Sequence, residues 1–152
     1  MVPSSSFQPR VSWTILPPVA PPINPPGPNL EPGAEVTQVR MAAETVVIAV
    51  NSDTTPDSLG SAAVVADFTM HNLGAQDENL AVRFPIAGSD GRGNFPELTG
   101  LVVKVNGKSV STHRVSYPEP RYMGEDVPWA EFQVSFPAGK DVAIEVKYGL
   151  KG

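Results

Sequence analysis

Cysteine is absent from the 152 residues. That excludes structural disulfides, thiolate metal sites and a cysteine nucleophile. Histidine is nearly absent: His71 and His113 are the only two. A histidine zinc centre needs two or three ligands at defined spacing, so both read as exposed structural side chains. Only 18% of residues are charged and the net charge is −5. Without clustered Lys and Arg, binding to DNA or RNA is not expected. No apolar run approaches the roughly 20 residues of a membrane-spanning helix, so no membrane insertion is expected. The opening MVPSSSFQPR lacks the cationic-then-apolar pattern of a secretory signal. There is no G-x-S-x-G elbow, no P-loop and no dinucleotide fingerprint. The run Asp90 to Asn94 (DGRGN) puts Arg92 where a calcium loop needs an oxygen ligand, so it reads as a glycine-rich turn. Asp53 and Asp57 read as part of a capped loop. The chain is therefore expected to be no enzyme, with no catalytic residue, metal or cofactor.

Proline, by contrast, is abundant and concentrated. Residues 1–33 hold ten of the seventeen prolines, and residues 17–33 read PPVAPPINPPGPNLEPG. Proline fixes φ and lacks an amide hydrogen, so this tract is neither helix nor central strand. We read residues 1–33 as an extended, polyproline-like arm and residues 34–152 as one domain. A plain spacer would need no apolar residues, yet Val19, Ile23 and Leu30 are interleaved. The segment VSWTIL (Val11 to Leu16) is strand-like and carries Trp13, Ile15 and Leu16. These three are candidate binding residues: such an arm can add a strand to a neighbour's open sheet edge while its side chains fill pockets.

The domain is patterned with a period of two. In AAVVADFTMHN, Val64, Ala66, Phe68 and Met70 share one face. In ENLAVRFPI, Leu80, Val82, Phe84 and Ile86 do. AEFQVSF puts Ala130, Phe132, Val134 and Phe136 inward, and VAIEVKYGL aligns Val142, Ile144, Val146, Tyr148 and Leu150. In TVVIAV (Thr45 to Val50) both faces are apolar, which predicts a central strand or one covered by the arm. Asn106-Gly107 is the strongest hairpin signal, because a type I′ turn needs positive φ at both central residues. Seven strands follow, centred on Val46, Val64, Leu80, Leu101, Val110, Phe132 and Ile144. Residues 108–115 read as a single strand and 116–128 as a loop. The expected fold is an all-β, antiparallel, immunoglobulin-like sandwich, with a closed barrel as the alternative.

Residues 117–129 form the most suggestive surface stretch. Tyr117, Tyr122, Met123 and Trp129 lie near Glu119, Glu125 and Asp126. Aromatics beside carboxylates stack on sugar rings and bond their hydroxyls, and they also anchor protein interfaces. Tyr117, Tyr122 and Trp129 are therefore candidates for glycan or peptide contact. The competing reading has Trp129 and Tyr122 capping one end of the core.

The pieces FTMHN (68–72), VRFP (82–85), VNGK (105–108), SFPAG (135–139) and VAIEVKY (142–148) carry a resemblance. Their style and order over residues 35–150 resemble the N-terminal β-sandwiches of large bacterial surface proteins, including those similar to the inter-alpha-trypsin vault-type domain. The resemblance implies a noncatalytic module of adhesion or assembly in an extracytoplasmic, cell-surface setting. The expected function is thus structural: a protein partner or self-assembly through the arm or an edge strand. The alternatives are a carbohydrate-binding module using the 117–129 aromatics and a virion or capsid decoration protein.

Overall fold

The computed structural model describes residues 31–32, 37–52, 60–87, 97–119 and 125–151. These residues form strands and turns with no helix. The strands are β1 (Glu31–Pro32), β2 (Val39–Asn51), β3 (Ser61–Asn72), β4 (Glu78–Pro85), β5 (Thr99–Val105), β6 (Lys108–Val110), β7 (His113–Glu119), β8 (Glu125–Phe136) and β9 (Asp141–Lys151). They build a four-stranded sheet, β1-β4-β8-β7, and a five-stranded sheet, β2-β3-β9-β5-β6. Every pairing is antiparallel.

The core lies between the two sheets. Ala66 and Phe68, Val142, Ile144 and Val146, and Val103 come from the larger sheet. Val82, Phe84, Phe132, Val134 and Phe136 come from the smaller one. The inward rows expected on β8 and on the first half of β9 are buried throughout. Tyr148 extends the β9 row and packs its ring on Phe84, with centroids 5.5 Å apart. Burial raises its hydroxyl pKa. Each of the seven expected strand centres falls inside a strand.

The structure corrects three expectations. Residues 108–115 are two strands rather than one. The chain leaves the larger sheet after Val110 and enters the smaller one at His113. The presumed loop 116–128 is mostly strand, the end of β7 and the start of β8. Pro118 and Pro128 made it look like loop. Yet Pro118 lies on β7, an edge strand that tolerates a missing amide hydrogen, and Pro128 lies on β8 just past the end of its pairing with β4. The third concerns β2: among the described residues it is an edge strand and not a central one, and the other expectation, cover by the arm, falls on residues outside them.

Two turns need positive φ. Asn106 (48°) and Gly107 (79°) close the two-residue hairpin between β5 and β6, as the I′ turn requires. Asn106 is also tied to β9: its amide donates to the Ala143 carbonyl at 2.8 Å, and its Oδ1 accepts from the Ala143 amide at 3.0 Å. Gly139 (φ 65°) turns the chain from β8 to β9, which lie in opposite sheets.

Candidate functional site

The feature that departs most from an ordinary sandwich is the second half of β2. Its first half behaves as core: Val39 is buried and Met41 packs against the core. The register then shifts between Met41 and Ala43. One extra residue reverses the parity of everything after it. Downstream, Val46 pairs with Ala66, Ile48 with Val64 and Val50 with Ala62. Directly opposed residues share a face, so the three continue the inward-facing row of β3. They are not covered: Val46 is 37% exposed, Ile48 58% and Val50 73%, while Val47 on the other face is 57% exposed. Among the described residues, no strand pairs with the outer side of β2.

The base of this strand is held firmly. Thr37 Oγ1 donates to Glu78 Oε2 at 2.6 Å, and the Gln38 amide donates to Glu78 Oε1 at 2.9 Å. One carboxylate on β4 thereby clasps the approach to β2 and ties the two sheets together at one end. The Thr37 hydroxyl, and then the Gln38 amide, hold the Glu78 carboxyl below its ordinary pKa. Asn72, fully buried at the end of β3, locks the same end. Its Nδ2 donates to the Gln76 and Phe136 carbonyls, and its Oδ1 accepts from the Gly74 amide, each at 2.8 Å. Glu44, at the start of the uncovered half, meets no such donor among the described residues, and desolvation by its neighbours raises its pKa.

The arm enters at the same side. Glu31 and Pro32, the last described residues before Thr37, pair antiparallel with Arg83 and Val82 on the free edge of β4. Trp13, Ile15 and Leu16 lie outside the described residues, as do Tyr122, Met123 and the 90–94 and 53–57 segments.

The two described aromatics of the 117–129 stretch have different fates. Trp129 stands between Pro85 on β4 and Val115 on β7 and is only 6% exposed. It alternates with Ala130 and Phe132, which belong to the core side, so it is buried on the opposite face of the smaller sheet. It offers no open stacking surface. Tyr117 is 38% exposed, but one face of its ring is already taken by the Arg83 guanidinium, 4.0 Å from the centroid. Arg83 Nε also donates to Glu131 at 2.9 Å across the β4–β8 pair.

The histidines stay apart. His71 Nδ1 lies 2.6 Å from Asp141 Oδ1 on the larger sheet, and His113 is exposed on β7 of the smaller one. Among the described residues, no three His, Asp or Glu side chains converge to hold a metal ion. Nor is any helix among them long and apolar enough to cross a membrane. The uncovered half of β2 was legible in part, since two apolar faces are visible in TVVIAV. Its edge position was not.

No protein-family model matches the sequence, and no curated protein matches it. Among solved structures, the chain is similar to a protein of Legionella pneumophila subsp. pneumophila str. Philadelphia 1 described as a "putative nutrient binding protein". The identity is 20% and the TM-score 0.67, over 82% of this chain and 42% of that one. This chain therefore spans less than half the length of that protein, and the likeness is one of fold.

Proposed function

We propose that this chain is a noncatalytic structural and interaction module, serving adhesion or assembly through strand pairing by its arm or its open edge. The observation that carries the reading is β2. From Glu44 to Asn51 it presents a ladder side with no partner among the described residues, and apolar residues on both faces. Such an edge is a template for another strand. The finer description of the fold as immunoglobulin-like belongs to the same proposal. It is supported by antiparallel strands whose chain order switches repeatedly between two sheets. The resemblance to bacterial surface modules fits a cell-surface setting, and a virion shell would use the same contact.

Light scattering on the full chain and on a chain starting at Ala34 tests the proposal. Both keep the core, which begins at Val39. The full chain is expected to gain mass with concentration and the shorter one to stay single. Two monomers would defeat it.

A second reading has one observation behind it. Tyr117 leaves part of its ring open beside the Arg83–Glu131 pair, an arrangement suited to a sugar or other small polar ligand. The nutrient-binding description of the Legionella protein points the same way. Tyr117→Ala should then abolish glycan binding and leave the melting temperature nearly unchanged.

A further inference from the structure

The sheet edges of this protein are not alike. β7 ends the smaller sheet with His113, Arg114 and Pro118, residues that discourage pairing. β6 ends the larger sheet with three residues, one of them Lys108. On β4, Glu31 and Pro32 already occupy part of the free side. The second half of β2 carries no such protection. From Met41 to Asn51 it has no Lys, Arg or Pro, and Glu44 is its only charge. Its register is regular after Ala43, so no later bulge twists the edge away. It lacks the devices by which natural sheets keep edges single, and its Val46–Ile48–Val50 row extends the core face with nothing described beneath it.

We infer that the edge from Glu44 to Asn51 is the acceptor for the Val11 to Leu16 segment of a second copy of this chain. The inference rests on the assembly reading above and names its donor and acceptor. Outside the described residues, VSWTIL is the run with strand composition and neither Pro nor Gly. Six residues span about 20 Å at strand rise, within the roughly 26 Å of the eight-residue acceptor. Val11, Trp13 and Ile15 alternate as the acceptor row does, so a single added strand would lay all three beside Val46, Ile48 and Val50. Ser12 and Thr14 would then fall on the opposite face, with Thr45 and Val47.

The spacer argues for a second copy. Residues 17–30 contain seven prolines. In polyproline form, 14 residues reach about 43 Å at 3.1 Å each. Glu31 and Pro32, which follow the spacer, pair with Arg83 and Val82 on β4, and the Thr37–Glu78 bond places that edge beside the start of β2. In that form a spacer longer than the acceptor beside which it starts would carry its strand past its own sandwich. Each copy then has one donor and one acceptor, which gives a head-to-tail contact that closes into a ring or runs on as a filament.

Complementation between two full-length variants tests this. The edge variant is Ile48→Lys with Val50→Lys, both at exposed positions. The arm variant is Trp13→Lys with Ile15→Lys. The unmodified chain should gain mass with concentration. Each variant alone should run at the single-chain 16.1 kDa. Mixed one to one, they should give a species of twice that mass, since one good arm and one good edge remain. Slowed amide exchange at Val46–Val50 in the unmodified chain should be lost in the arm variant. If the arm variant is single but the edge variant still associates like the unmodified chain, β2 is not the acceptor, while assembly through the arm stands. If the unmodified chain stays single at every concentration, the inference and the assembly reading fall together.

Discussion

β2 and β9 flank the same strand and are written in the same residues. Ala66 on β3 has Val46 on one side and Val146 on the other, in a single cross-strand row. Val64 likewise separates Ile48 from Tyr148. Val146 is fully buried, while Val46 is 37% exposed. The difference lies in what stands opposite. The smaller sheet faces β9 with Phe84, which packs on Tyr148, whereas its described part at the β2 side ends in the two residues of β1. Apolar alternation thus reports that a strand has a face to bury. It does not report that something is there to bury it.

The widest separation should appear with identical substitutions. Ile144→Ala on β9 removes a fully buried side chain and should cost about 2–5 kcal/mol. Ile48→Ala on β2 removes one already more than half in water and should cost less than about 1 kcal/mol. Urea unfolding of the two, at a concentration where the chain is single, would break the comparison if the costs were equal. That result would mean β2 is covered within its own molecule.

Asn72→Ala sharpens the comparison at the end where β2 is still covered. It strands two carbonyls and an amide that the side chain now satisfies. Only the Phe136 bond is fully buried, where an unsatisfied group costs about 1–3 kcal/mol, and water can partly replace the other two, so a loss of about 2–3 kcal/mol is expected, with local exchange near Gly74 accelerated.

The smallest effects are pH dependences of opposite sign, from Glu78 on β4 at the base of β2 and from Glu44 on β2 itself. Glu78 has a lowered folded pKa, caused first by the Thr37 hydroxyl. Its contribution is present above the ordinary carboxylate pKa and is lost as pH falls through the lowered folded value. Glu44 has a raised folded pKa through desolvation. Its contribution is therefore greatest below the ordinary value and declines as pH rises through the folded one. Glu78→Gln should flatten the acid limb of the stability profile. Glu44→Gln should flatten the opposing limb just above the carboxylate range. Thermal unfolding from acid to neutral pH reads both.

Most of the strand positions were legible, because a strand half buried on one face must alternate, and Asn106-Gly107 leaves the backbone few other turns. Misreadings came where a local rule met a tertiary exception. Pro118 breaks a central strand but sits comfortably on the β7 edge. Residues 108–115 alternate continuously, yet they turn a corner between sheets at Ser111 and Thr112. Trp129 has two readings in the sequence, surface contact and core cap; it is buried, on the outer face of its sheet. For the candidate site, the apolar character of Thr45–Val50 could be read directly, and the protective residues missing from it could be counted.

The amino-acid order by itself determined an all-β fold without disulfides, a Pro-rich N-terminal stretch, and the faces that β3, β4, β8 and β9 bury. Those are consequences of local sterics and of side-chain alternation, which act within a few residues. Only the tertiary structure decided which strand lies at an edge, which sheet each strand joins, and that the row through Val46, Ile48 and Val50 runs out beyond its cover. Strand order is set by pairings between residues far apart in the chain, and no local pattern encodes what stands on the other side of a sheet.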